Sequence, residues 1–316
     1  MTLPPRIRTM DIPCPARLAA AAAAASRQSH PSAPPRHLTH ATLTAFLHTL
    51  LPAAPTHLPL IYHTPRTHHI PITRIVLSIT ATPGIYPLLH PGTALFLHRP
   101  WDLDRRRMKP STLVLTSHQR LDELLTTGYN MPLLQRLGVQ ETMAPIVGYK
   151  GDPERKIGLV ARLAGKGVSL GDWIDRIHEE FHGLESVTRP TSEEQDTYPA
   201  PRYIACMNAF EPAVIDRALA AAQSLSPDQR IDPQQIIYLT GQPRPLGTTY
   251  AAERRIPCLF TGHRRAEVWA VNYLAGMLSE GFDGVEVLVV DEEWEEEDMQ
   301  RRKREARIER GGARGA

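Results

Sequence analysis

Short apolar runs alternate along this chain with stretches of helical period, and that alternation constrains the fold more than any other feature of the sequence. Residues 73–79, 93–97 and 112–116 are apolar and bounded by turn-forming residues, as buried sheet strands are. Helical patterns lie around them. Leu43, Phe46, Leu47, Leu50 and Leu51 fall at helical spacing over residues 42–51, and Pro52 ends that helix. Asn130 caps another, which carries Leu133, Leu134 and Leu137 on one face and closes at Gly138, a residue that tolerates left-handed geometry. Residues 157–163 read as a further strand. Ser169, with Asp172 three residues on, then opens a helix over Trp173, Ile174, Ile177 and Phe181. The pattern repeats: residues 203–207, 236–239, 258–260 and 285–290 are strand-like, with helices starting near Pro212, Leu246 and Arg264. The chain therefore reads as an α/β (α+β) protein with helices packed on mixed sheets.

Its 316 residues suffice for two domains, each with its own core. A first α/β domain is expected over residues 40–187 and a second over 202–291. Residues 188–201 hold Pro190, Pro199, Pro201 and several acids without apolar period, the composition of a linker. Residues 1–38 are rich in Pro, Ala, Ser and Arg and read as a disordered or targeting extension. From residue 292 a charged C-terminal helix or tail follows, in which carboxylates precede arginines by four residues, as Glu297 does Arg301.

No apolar run approaches the roughly 20 residues that cross a bilayer, so no membrane span is expected. Three dispersed cysteines, Cys14, Cys206 and Cys258, argue against a disulfide framework and for a reducing compartment. The cytoplasm is the expected setting. A mitochondrial one is the alternative, because the first hundred residues hold a single acid, Asp11, beside eight arginines. Pro4, Pro5, Pro13 and Pro15 would nevertheless interrupt the amphipathic helix of a transit peptide. Neither an aromatic-interleaved basic strand nor a recognition-helix pattern accompanies the basic ends, and nucleic acid is not an expected partner.

Three strand-like runs lead into a histidine: His98, His118 and His263. Ligand sites of α/β folds gather at the carboxyl ends of strands, where the chain leaves the sheet and side chains converge. His118 precedes Asp122 by four residues, and His263 precedes Glu267 by four. On a helical turn that spacing brings imidazole and carboxylate to one face, Cβ atoms about 5 to 6 Å apart. Such a set suits a divalent transition metal (Zn, Mn, Fe or Co), one or two ions. Thr261-Gly262-His263 precedes a helix, so backbone N–H groups at Gly262, reinforced by Arg264 and Arg265, are an expected anion site for a phosphate-containing small molecule. A plain strand-to-helix turn, with Glu267 near the helix dipole, is the alternative.

These residues resemble the Nif-three-like family, also called GTP cyclohydrolase 1 type 2 homologues, over residues 42–291. Leu97-His98-Arg99-Pro100 stands where the family has a histidine pair before proline. Ser117-His118-Gln119-Arg120-Leu121-Asp122 is similar to its histidine, three residues and aspartate. Gly128-Tyr129-Asn130 is a version of its Gly-Gly-x-Asn segment, Thr240-Gly241-Gln242 of its Thr-Gly-Glu, and Gly262-His263-Arg264-Arg265-Ala266-Glu267 of its glycine-histidine-x-x-x-glutamate signature. The resemblance implies two related α/β domains with a metal-site cleft between them, and a ring-shaped homo-oligomer, commonly a hexamer. It implies His98, Asp122, His263 and Glu267 as metal ligands, Glu267 bridging, with His118 a ligand or an orienting neighbour. It names no single reaction: members are described as metal-binding proteins, cyclohydrolases or phosphoesterases, and partners of transcription factors. This chain departs from the pattern at Arg99, at Gln242, and at Cys206-Met207-Asn208-Ala209-Phe210, which replaces a glycine-rich turn. Two readings follow, a metal-dependent hydrolase of a nucleotide or other phosphorylated small molecule, and a non-catalytic regulatory member of the family. Arg99 would meet an anionic substrate or take the place of an ion.

Overall fold

A computed structural model of the protein describes residues 7–8, 38–54, 57–67, 70–139, 143–149, 152–163, 167–188, 198–291 and 301. The expected extension apart from residues 7, 8 and 38, most of the linker and all of the charged tail but Arg301 lie outside the described residues.

The chain divides into two compact units, one of residues 1–52, 58–118 and 271–316, the other of residues 53–57 and 119–270. The expected division lay instead within residues 188–201. In the first unit a six-stranded sheet has the order β1-β12-β3-β4-β5-β2. Its strands are β1 (Ile7–Arg8), β2 (Ile61–His63), β3 (Arg74–Thr80), β4 (Thr93–Arg99), β5 (Leu113–Thr116) and β12 (Glu286–Val290). The central four are parallel: Val76 faces Leu95, Leu95 faces Val114, and Val287 faces Ile75. β1 and β2 are antiparallel edges. Strand alternation explains the core. Leu95 and Leu97 share one face with Val76, Val114 and Val290, and pack with Ile85, Tyr86 and Leu89 from the turn over Pro83–Leu88. Helix α1 (His40–Leu50), capped by the Thr39 hydroxyl on the Thr42 amide, buries Leu43 and Leu47.

The second unit repeats the plan with the order β6-β7-β9-β10-β11-β8. These strands are β6 (Met143–Tyr149), β7 (Asp152–Arg162), β8 (Ser186–Thr188), β9 (Tyr203–Met207), β10 (Ile236–Thr240) and β11 (Cys258–Phe260). β9, β10 and β11 are parallel, and β6, β7 and β8 run antiparallel to their neighbours. Its helices are α2 (Gln119–Leu124), α3 (Met131–Arg136), α4 (Leu170–Glu180), α5 (Pro212–Ser224) and α6 (Pro245–Glu253), and α7 (His263–Gly281) belongs to it up to Ala270 and to the first unit from Val271. The core gathers Tyr203, Met207, Phe210, Ile215, Tyr238 and Phe260, all buried. Each strand expected from apolar runs is present, within a few residues of its expected bounds. β2, β6 and β8 were not expected, nor was β1, which lies in the expected extension and pairs with β12 through Ile7 and Val290. β2 and β8 are three residues long, and β6 carries Pro145 and Gly148 and two register shifts, so none has a period that a sequence displays.

Candidate metal centre

β4 and β5 lie side by side and parallel, so both release their chains at the same end of the sheet. His98 is the penultimate residue of β4, and His118 follows β5 just before α2. Their rings meet edge to face, centroids 4.7 Å apart and planes inclined by 67°. The helix begins at Gln119, so the four-residue spacing carries Asp122 to the same place. One ligand atom from each of His98, His118 and Asp122 lies within 4.8 Å of the others. His98 is completely buried. Its Nδ1 lies 3.2 Å from the Ser117 carbonyl oxygen, an acceptor only, so Nδ1 carries the proton and Nε2 the lone pair. That arrangement is the usual way a metal-binding imidazole is oriented. Two imidazoles and a carboxylate are a donor set that fits a divalent transition ion.

Helix α2 is short, and side-chain contacts hold it. Glu123, next to Asp122 and nearly buried, accepts from Arg155 Nε at 2.6 Å and from Gln119 at 3.3 Å, and its second oxygen lies 3.0 Å from His57 Nε2. His57 Nδ1 accepts from the Ala54 amide, so Nε2 bears the hydrogen that Glu123 receives. Asn208 donates to the Asp122 carbonyl at 3.3 Å, and the Thr126 hydroxyl donates to the same oxygen. Position 208, within the segment that replaces a glycine-rich turn, therefore supports the helix that carries a donor.

His263 and Glu267 form a pair of their own at the start of α7, 3.2 Å apart, with Glu267 fully buried and His263 half exposed. The four-residue spacing gives the geometry expected of it. The anion site expected at Gly262 is different. Gly262 adopts φ +83°, and its amide donates to the Gly241 carbonyl at 2.8 Å, so it is committed to a backbone bond. A Cβ there would come within 3.1 Å of a Glu185 carboxylate oxygen, with Arg265 at 3.4 Å, and a carboxylate so placed opposes an anion. Arg264 is half-buried in the first turn of α7, and Arg99 closes β4, half-buried and opposite Thr80 in the sheet register. Sequence reasoning missed Trp101, whose ring lies 4.9 Å from that of His118. Its only signal was a tryptophan two residues past the first histidine strand.

The two remaining thiols described, Cys206 and Cys258, are buried and free, and burial pushes each up to about 12. Neither is a thiolate donor at neutral pH.

No protein-family model matches the sequence, and no curated protein matches it either. Solved structures do match. Reduced HcgD from Methanocaldococcus jannaschii superposes with TM-score 0.56 at 14% identity, over 82% of this chain and all of that one (100%). The Staphylococcus aureus hypothetical protein SA1388 gives 0.55 at 13% identity, over 81% of this chain and 97% of its own. A Bacillus cereus protein related to NIF3 gives 0.50 at 10% identity, over 81% and 97%. The fold is that of the Nif-three-like proteins. Within this Nif-three-like fold the resemblance sets a second histidine after His98, where the chain has Arg99, whose guanidinium has no lone pair for a metal. No helix among the described residues is long and apolar enough to cross a membrane.

Proposed function

We propose that this Nif-three-like chain is a metal-binding protein and a metal-dependent hydrolase of a phosphorylated small molecule, such as a nucleotide. The observation that carries the reading is the convergence of His98, His118 and Asp122, with the His98 ring oriented by the Ser117 carbonyl. His98 Nε2, a His118 nitrogen and an Asp122 oxygen would hold the ion, and His263 with Glu267 would supply further donors, as the resemblance implies. A divalent ion there would polarise a phosphoryl or carbonyl oxygen of the substrate. The chain's own part is to fix the donors. The Ser117 carbonyl sets the His98 tautomer, and the Glu123 network keeps α2, and Asp122 with it, in place. A ring-shaped homo-oligomer in a reducing compartment, the cytoplasm before the mitochondrion, belongs to the same proposal.

Elemental analysis of protein purified without chelator tests the centre. We expect about one zinc, manganese, iron or cobalt per chain, and affinity about 10–100-fold weaker in Asp122→Asn, the loss typical when a metal site is disturbed. Less than about a tenth of an ion per chain after loading, against that same expectation of tight binding, would overturn the reading.

Arg99 favours a second reading, a regulatory protein that keeps the fold without turnover, because a fixed positive charge follows the first ligand strand. Glu267→Gln separates the two. Loss of the cellular phenotype in a folded variant supports the hydrolase, and an unchanged phenotype supports the regulator.

A further inference from the structure

Among the described residues of the first unit, Leu58, Ile61 and Trp101 are the exposed large apolar side chains, and Trp101 alone of the three is aromatic and lies beside the candidate donors. Trp101 is 63% exposed, whereas Trp173 and Trp269 are 2% and 8% exposed. The indole follows directly on the strand that carries His98, and one side of it meets the His118 imidazole, centroids 4.9 Å apart and planes at 59°. The other side faces solvent.

The loop that presents it is built rather than loose. The Leu103 amide donates to the Pro100 carbonyl, closing a turn around the tryptophan. The Asp104 amide donates to the Tyr86 hydroxyl at 2.8 Å, and the Asp104 carboxylate caps the turn over Arg105–Arg107. Arg107 lies over the Tyr86 ring at 3.9 Å and Arg105 over the Tyr62 ring at 4.9 Å. An indole fixed in place and wet on one face loses little freedom when a flat partner covers it.

We propose that Trp101 is a stacking platform, a specificity-determining residue that receives the planar aromatic ring of a ligand whose polar end reaches His98, His118 and Asp122. The proposal deepens the reading of those three residues as a metal centre, on which it rests, by naming the ligand class. A flat ring is favoured over a second copy of the chain for two reasons on the surface itself. The indole leans on a candidate ligand rather than on an apolar patch, and its neighbours in the loop, Asp104, Arg105, Arg106, Arg107 and Lys109, are charged and exposed. The centre of a protein interface is depleted of such residues.

AMP and ribose 5-phosphate, which differ by the ring alone, provide the test, titrated calorimetrically into the full zinc-loaded chain. We expect Trp101→Ala to weaken AMP binding about tenfold, within the range seen for base stacking on an aromatic side chain. Trp101→Phe, which keeps a flat face, should retain affinity to within about threefold on the same scale. Ribose 5-phosphate should bind both variants as it binds the parent. Failure of AMP to bind the parent, or equal affinity in Trp101→Ala, overturns the platform. So does a change of oligomeric state on sedimentation of Trp101→Ala, which would mean that a second copy covers the ring. Zinc content measured on the same samples reports separately on the metal centre: a chain that holds zinc but ignores position 101 refutes the platform alone, and a chain without zinc refutes the centre.

Discussion

Gly158 marks how tightly the second unit is packed, because no other residue fits where β7 passes β9. A Cβ built there would lie 1.7 Å from Met207 Sδ and 2.9 Å from the Cys206 carbonyl oxygen. Met207 is fully buried and faces Gly158 in the register, so the sulfur cannot simply swing away, and the carbonyl belongs to the sheet. Gly158→Ala is expected to cost about 1–3 kcal/mol, the usual range for an overpacked core. Urea denaturation would show it, and a change below about 0.5 kcal/mol, the scale of surface substitutions, would contradict the packing described. The buried thiols give a second residue-scale expectation. Burial raises Cys206 and Cys258 from an ordinary 9.0 to about 12. Between those values the unfolded chain has lost thiol protons that the folded chain keeps. The unfolded state then binds fewer protons, and stability falls as pH rises, by about 1.4 kcal/mol per pH unit for each thiol. Unfolding free energies compared at pH 10 and pH 11, inside that window, should show that slope, and Cys258→Ala should make it shallower. An identical slope in the variant would mean that the thiol does not carry the effect.

At the scale of elements, the helix termini were the most legible part of the chain, since a cap depends on three or four consecutive residues. Ser169 and Asp172 form the reciprocal capping box of α4, each side chain bonded to the other's amide. Asn130 caps α3 through Leu133, and its amide also donates to the Thr126 carbonyl while fully buried. The two caps should therefore differ. Ser169→Ala, exposed, is expected to cost about 1 kcal/mol. Asn130→Ala should cost more, up to about 3 kcal/mol, because it also leaves a buried carbonyl unsatisfied. Thermal melts of the two variants check the order, and the reverse order would sink the argument from burial. The missed elements are those whose partners lie far off in sequence. β2 is held by its pairing with β5, and β8 by its pairing with β11, rather than by any pattern within three residues. The candidate group His98, His118 and Asp122 was legible for the opposite reason: strand ends and four-residue spacings are local. That β4 and β5 are neighbours, which turns two histidines into one group, is a property of the sheet.

For the whole molecule, the feature furthest from sequence legibility is also the most exposed to test. β12 comes from the end of the described chain and completes the first sheet beside β3, with Arg74 Nε donating to Glu286 Oε2 at 2.6 Å across 212 residues of sequence. A division of the chain at a linker cannot express such a closure, which is why residues 271–291 belong with the first unit and not with the helices and strands that precede them. Removing residues 285–316 deletes β12 and leaves β3 as an open edge next to fully buried Val76 and Leu77. Leu288, Val289 and Val290 are nearly buried, and losing them removes on the order of 5 kcal/mol of apolar burial. That is comparable to the whole stability of a typical domain, about 5–15 kcal/mol. The truncated chain should aggregate through the uncovered strand or lose the cooperative melting of its first unit. A chain ending at Asp291, which keeps every strand of that sheet, is the control and should melt as the parent does. Soluble protein truncated before β12 with an unchanged melting profile would show that the first sheet does not need its final strand, and the account of the fold given by its register would fail.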